Sequence, residues 1–264
     1  MRTAPFAVLG LPLLAVLLGG AAPAPPADDL VFEGGRVVDG TGAPAFAADV
    51  AVRDGRIAAV GPLPEARKAR ARRRVDARGL VVAPGFIDLL GQSEYNVLVD
   101  RRAFSKVTQG ITTEVTGEGS SIAPLNGRLV ADGEDVWRRY GVRPDWTTLS
   151  GYFARFAKAP PTINLATFVG LGGLRDLVMG KENRRPTPAE MEAMEREVDR
   201  AMSEGALGVS ASLQYVPDIW FTTDELVALG RVAARRGGVF FVHQRSESDR
   251  IFESLDEVFR IARE

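Results

Sequence analysis

From residue 81 onward, apolar runs of four to eight residues alternate with stretches in which apolar positions recur every three or four residues. The first pattern suits strands buried on both faces and the second suits helices buried on one, so the alternation predicts βα units around a parallel sheet. Five strands are expected, at Leu80–Ile87, Ile111–Thr116, Ile163–Val169, Ala206–Ser212 and Gly238–Val242. Two helices carry explicit start signals. In TPAEMEAMEREVDRAMSEG, Thr187 stands at the N-cap, Pro188 at the first helical position and Glu190 where its carboxylate can return a capping-box bond, while Gly205 closes the far end. TTDELVALGRVAARRGG repeats the device with Thr222 and Glu225. Before residue 81 the runs are shorter. DLVFEGGRVVDG and ADVAVRDGRIAAVG read as strands, with Asp54-Gly55 as a tight hairpin turn.

Composition narrows the partners. With 264 residues, 45% apolar and 25% charged, the chain can bury a sizeable core. A formal net charge of −1 and a pI near 6.0 give no whole-chain case for nucleic acid or an anionic membrane. The Arg-rich EARKARARRRVDARG reads as a solvated loop with charged flanks, because no stacking aromatics are interleaved with it. Cysteine is absent, which removes disulfides, thiolate nucleophiles and zinc-thiolate sites, so any metal must sit on oxygen or imidazole.

The N-terminus has one early Arg, an apolar run from Phe6 to Leu18, and then small residues and prolines, which is a secretory signal pattern. Residues 1–27 are therefore expected to be a signal peptide and linker, and the protein to be secreted or periplasmic. The apolar run is short for a bilayer span and there is no cysteine to acylate, so no stable membrane anchor is expected.

A complete (β/α)8 barrel takes about 250 residues. Five units fill residues 81–264, so the expected fold class is α/β, a partial TIM-type barrel of about five βα units that stops part way round. The active site of such a barrel lies at the C-terminal ends of its strands. The residues expected there are Asp88, Gln92 and Glu94 after the first strand, Glu118 after the second and Leu171 after the third. Tyr215 follows the fourth strand, and His243, Arg245 and Glu247 follow the fifth.

The segments VVAPGFID, KVTQGITTEVTGEGSSIAP, INLATFVGLGGLR, MSEGALGVSASLQYVP and FTTDELVALGRVAARRGGVFFVHQRSESD, in that order, resemble the N-acyl-D-amino-acid deacylase (D-aminoacylase) branch of the metal-dependent amidohydrolases from residue 29 to 264. The resemblance implies a barrel flanked by a small β-sandwich, with residues 28–80 forming part of the sandwich and 81–264 an incomplete barrel. It further implies zinc-activated water that hydrolyses the amide of an N-acyl amino acid, a small-molecule substrate, and a missing C-terminal half of the barrel as partner. The same resemblance exposes departures. Leu90 and Gln92 stand where the family has its His-x-His pair, Gly119 where it has a bridging Cys, and Leu171 where it has a further His. Only His243 keeps a family ligand position, and Asp88 supports the first-strand turn.

Carboxylates stand beside both vacancies, and carboxylates are competent ligands. The expected metal set is therefore His243, Glu118 and Glu94 around a divalent metal, with zinc as the first choice. Each residue also has a plainer reading: a hydrogen-bonded structural histidine, a turn residue and a polar loop residue. Gln92 and Tyr215 are expected to contact substrate, Tyr215 by its match to a family tyrosine that contacts the substrate carboxylate or else as a packed strand-end residue. Arg245 either clamps a carboxylate or pairs with Glu247. Two functions remain open: a secreted amidohydrolase of non-peptide amides, or a binding protein on the same scaffold that has lost its ligands.

Overall fold

The computed structural model describes residues 26–264, which form two compact units, one ending at Pro84 and one starting at Gly85. The expected signal segment falls on residues outside the described ones, apart from the end of its linker.

The first unit is a sheet built on β1 (Leu30–Val37), β2 (Phe46–Arg53) and β3 (Arg56–Gly61), joined after α1 (Glu65–Lys68) by β4 (Arg74–Asp76) and β5 (Val81–Val82). The order is β3-β2-β1-β4, with β5 also on β1. A register shift between Phe32 and Gly35 lets β1 pair with β4 through residues 31–33 and with β5 through residues 36–37. Glycine is needed at this bulge: Gly34 has φ +66°, and a Cβ on Gly35 would lie 2.6 Å from Val82 Cγ2. Asp54 and Gly55 both adopt positive φ, 51° and 69°, as a two-residue hairpin turn of that sequence requires. The Arg-rich run is neutralised where it lies. Arg67 and Arg53 both donate to the buried Asp28 at 2.7 Å, and the Arg67 hydrogen bond holds that carboxyl below its ordinary range. Arg74 pairs with Glu33 and Arg78 with Asp76.

The second unit follows the βα pattern. It contains β6 (Phe86–Asp88), α2 (Asn96–Val99), α3 (Phe104–Val107), β7 (Ile111–Thr116), α4 (Gly127–Asp132), α5 (Glu134–Tyr140), α6 (Leu149–Ala157), β8 (Asn164–Thr167) and β9 (Val169–Gly170). There follow α7 (Leu171–Met179), α8 (Pro188–Ser203), β10 (Gly208–Ser212), α9 (Thr223–Ala234), β11 (Val239–His243) and α10 (Ile251–Arg263). Every strand pairing in this unit is parallel, in the orders β6-β7-β8 and β9-β10-β11. Residues 164–170 link the two groups: Phe168 N donates to Thr116 O and Leu207 N to Thr167 O, each at 2.9 Å. The single strand expected at Ile163–Val169 therefore bends at Phe168, so that one end serves β7 and the other β10.

The strand expected at Leu80–Ile87 is also two strands. Val81 and Val82 pair with β1, Phe86–Asp88 pair with β7, and Pro84, which has no N–H for a ladder, lies between them.

The capping boxes form as the sequence predicts, with Thr187 and Glu190 opening α8 and Thr222 and Glu225 opening α9. Both helices bury a stripe at helical spacing: Met194, Val198 and Ala201 on α8, and Leu226, Leu229 and Val232 on α9. These pack with Leu171 and Leu174 of α7 and Val209 and Ala211 of β10 in one cluster. Each fully buried Leu there stabilises the fold by roughly 1.5–3 kcal/mol. No helix among the described residues is long and apolar enough to cross a membrane.

Candidate active site

The carboxyl ends of the parallel strands open on a cavity of about 490 Å³, a size suited to a small ligand. Leu90 and Gln92 reach it from the loop after β6, Glu118 and Gly119 from the turn after β7, Ser212 from β10 and His243 from β11. The amino end of α7 supplies Gly172 and Gly173, and the loop after β10 supplies Tyr215 and Asp218.

His243 is its polar centre. Nδ1 lies 3.5 Å from Glu118 Oε1, and Nε2 lies 3.6 Å from Glu247 Oε1 and 3.2 Å from Gln214 Nε2. The Gln214 amide nitrogen also donates to Gln244 O at 3.1 Å. Tyr215 is half exposed and meets the imidazole edge-on, with ring centroids 5.4 Å apart.

The walls are backbone packed on backbone. Gly119 has φ +65°, and a Cβ there would lie 2.5 Å from Ser212 Oγ. Its N–H donates to Ser210 Oγ at 3.1 Å, and its carbonyl accepts from Gly173 N at 3.1 Å. Asp218 joins two walls. Its Oδ1 accepts from Ser212 N at 2.9 Å, the Gly172 N–H donates to the same carboxyl, and the carboxyl leaves no room for a Cβ on Gly172. Burial raises its pKa to about 7, against these backbone donors and the Arg175 charge, which lower it.

The other expected site residues lie elsewhere. Glu94 does not line the cavity. Gly91 N donates to Val115 O and Ser93 N to Glu114 Oε1, at 2.8 and 3.0 Å, and the Glu94 carboxyl beyond them is buried, with Glu114 near enough to add to its raised pKa. Its Oε2 is buried without a partner, and burial raises its pKa to about 6. Its carbonyl accepts from Tyr152 Oη at 2.8 Å. Arg245 is also absent from the cavity lining. It clamps Glu257 of α10 through Nε and Nη2, both at 2.9 Å, and caps the carbonyls of Ile219 and Phe221 at 3.0 Å. Asp88 accepts from Lys106 Nζ at 2.7 Å, a support for its turn. Sequence reasoning did not reach Asp218, Asp176 or Lys181, which also border the cavity. The one signal for Asp218 was an acidic residue in the turn after a strand, in VPDIW.

A metal here would need donors at its own ligand spacing. Two ligands on a tetrahedral zinc, at about 2.0–2.1 Å from it, stand about 3.4 Å apart. The His243 Nδ1 to Glu118 Oε1 separation of 3.5 Å fits two such corners. Among the described residues no group of three or more His, Asp or Glu is placed to hold an ion. The pair fits a loosely held ion.

The fold of parallel strands with a polar cavity at their carboxyl ends is shared with L-hydantoinase from Arthrobacter aurescens at TM-score 0.53 and 20% identity, over 89% of this chain and 44% of that one. The closer kinship is to the N-acyl-D-amino-acid deacylases, to which the chain is homologous. D-aminoacylase of Alcaligenes xylosoxydans xylosoxydans is 38% identical over 240 residues, covering 89% of this chain and 48% of the relative. N-acyl-D-glutamate deacylase of the same organism is 39% identical over 238 residues, 89% of this chain and 47% of the relative. Among solved structures, D-aminoacylase matches at TM-score 0.79 and 39% identity, over 89% of this chain and 49% of that one. N-acyl-D-glutamate deacylase from Bordetella bronchiseptica, in complex with zinc and a phosphonate inhibitor, matches at 0.77 and 37%, over 90% and 49%. No family model matches the chain. The chain thus spans about half the length of the relatives it matches.

Proposed function

We propose that the protein hydrolyses the amide of a small N-acyl amino acid at this cavity. The strands after Gly85 are read as part of a (β/α)8 barrel and the sheet before it as part of a β-sandwich. The observation that carries the reading is the meeting of His243 Nδ1 and Glu118 Oε1 at 3.5 Å, on a scaffold 38% identical to a D-aminoacylase. His243 and Glu118 would hold a divalent ion, which when bound polarises a carbonyl and lowers the pKa of water. The remaining steps belong to side chains. The Glu118 oxygen left free by the ion would accept the proton of the attacking water and return it to the departing nitrogen, Gln92 would donate to the acyl oxygen, and Tyr215 would contact the substrate. Glu247, beside Nε2, orients the imidazole. Export from the cytoplasm belongs to the same proposal, supported by the N-terminal pattern. Its check is mass spectrometry of the exported chain, with a new terminus near residues 22–28 expected and an intact Met1 against it.

The test is turnover of N-acyl-D- and N-acyl-L-amino acids by the full-length protein, with zinc and manganese content measured alongside. His243→Ala and Glu118→Ala are expected to abolish both turnover and ion uptake. A folded protein that takes up no ion and hydrolyses nothing sinks the enzyme reading. A second reading, binding without turnover, is favoured by one observation, the absence of a third ligand among the described residues.

A further inference from the structure

Among the residues that border the cavity, Lys181 is the one fixed cation, and Glu118, Asp176 and Asp218 are the carboxylates. Its position follows from the chain. Gly180 ends α7 with φ +79° and ψ −167°, a conformation that glycine alone adopts freely, and Lys181 is the next residue. Lys181 has one ion-pair partner there, Asp176, and the pair is loose. Its Nζ lies 3.5 Å from Asp176 Oδ2, beyond a good hydrogen bond, and its side chain is 66% exposed. Asp176 has a better partner in Arg128, whose Nη2 meets Oδ1 at 2.9 Å and also bonds the Asp176 carbonyl. Releasing Lys181 therefore leaves Asp176 paired.

The geometry points to Lys181 as the residue that takes the carboxylate of the ligand, in a cavity built for ligands with only one. This rests on the proposed N-acyl amino acid reading and adds a specificity residue and a substrate class to it. A monoanionic N-acyl amino acid brings its carboxylate to Lys181 and leaves its neutral side chain among the glycines of the GEGS and GLGG turns. An N-acyl derivative of Asp or Glu brings a second carboxylate into a cavity where no cation is left for it and where Glu118 and Asp218 repel it.

The experiment is calorimetric titration of the full chain in EDTA, which reads binding apart from any ion or turnover. N-acetyl-D-leucine is expected to bind about tenfold more tightly than either N-acetyl-D-leucinamide, which lacks the carboxylate, or N-acetyl-D-glutamate, which has two. Lys181→Met should remove about that tenfold from N-acetyl-D-leucine and nothing from the leucinamide, and Lys181→Arg should restore it. A loss of equal size for both ligands, or for neither, overturns the assignment, as does N-acetyl-D-glutamate binding as tightly as N-acetyl-D-leucine. Binding without turnover in zinc defeats the hydrolase reading and leaves Lys181 in its role. No binding of any of the three ligands overturns both.

Discussion

Asp218 sets a pH dependence that can be worked out from its surroundings. It is 3% exposed, and its pKa rises from an ordinary 3.8 to about 7. A carboxyl raised in this way binds its proton more tightly folded than unfolded. The stability it lends is full below pH 3.8 and is lost as the pH climbs to about 7. At 1.36 kcal/mol per pH unit the whole interval amounts to about 4 kcal/mol, of which about 2–3 kcal/mol falls between pH 5 and pH 7. The lowered carboxylates, such as Asp28 and Glu190, act in the opposite sense at more acidic pH, so this window is left mainly to Asp218 with a smaller share from Glu94. Asp218→Asn keeps an acceptor for Ser212 N but turns an amide toward Gly172 N, at a cost of about 1 kcal/mol, and it cannot ionise. The variant should be within about 1 kcal/mol of the parent at pH 5 and about 3 kcal/mol more stable than it at pH 8. Urea unfolding followed by tryptophan fluorescence would read this, since Trp220 stands two residues from Asp218. A parent-to-variant difference that stays constant within about 0.5 kcal/mol from pH 5 to pH 8 would refute the argument.

Further outcomes follow from single contacts. A Cβ on Gly91 would overlap the Glu114 carboxyl, so Gly91→Ala should break the Ser93 N bond and cost about 2–4 kcal/mol by urea unfolding; a cost under about 0.5 kcal/mol would show that the loop shifts freely. Thr187→Ala and Thr222→Ala should each cost about 1 kcal/mol through loss of a capping box, and serine at either site should recover most of it. Gly119→Cys should destabilise by about 1–3 kcal/mol without raising zinc affinity, because of its φ and the nearby Ser212 side chain. Leu90→His with Gln92→His, at exposed positions on the cavity, should fold like the parent and bind zinc at least about tenfold more tightly in a competition titration; unchanged affinity would show that the first-strand loop does not face the His243 pair.

What the sequence made legible was whatever depends on near neighbours. The strand at Ile111–Thr116 and both capping boxes appear as expected because apolar runs and cap chemistry act over a few residues. The break at Pro84 and the bend at Phe168 are set by which distant strand each half meets, and a single apolar run carries no mark of that. His243 and Glu118 converge because strand ends share one mouth. Glu94 was placed by proximity in sequence, whereas its orientation depends on Glu114, which holds Ser93 from 21 residues away. Arg245 offered a substrate clamp on paper, but the nearer carboxylate in space is Glu257, on a helix that begins six residues later at Ile251. Asp218 and Lys181 had no motif. Their placement comes from a turn and a glycine-ended helix, which only the folded backbone brings to the cavity.

The four positions at which the resemblance expects ligands are of two physical kinds. At Leu171 and Gly119 the fold is closed: Leu171 is fully buried in the apolar core, and Gly119 is packed against Ser212 with its backbone spanned by Ser210 and Gly173. An imidazole or a thiolate would not fit there without moving the core or the turn. At Leu90 and Gln92 the positions remain open to solvent beside the cavity. Asp218 is held in its buried place by the Ser212 and Gly172 N–H donors, although at neutral pH its charged form opposes folding by an amount on the order of a few kcal/mol. A neutral side chain of similar size would relieve that cost. Asp218, the His243 and Glu118 pair and Lys181 all border one open cavity, and a perturbed carboxyl beside a strand-end histidine makes that cavity the candidate site.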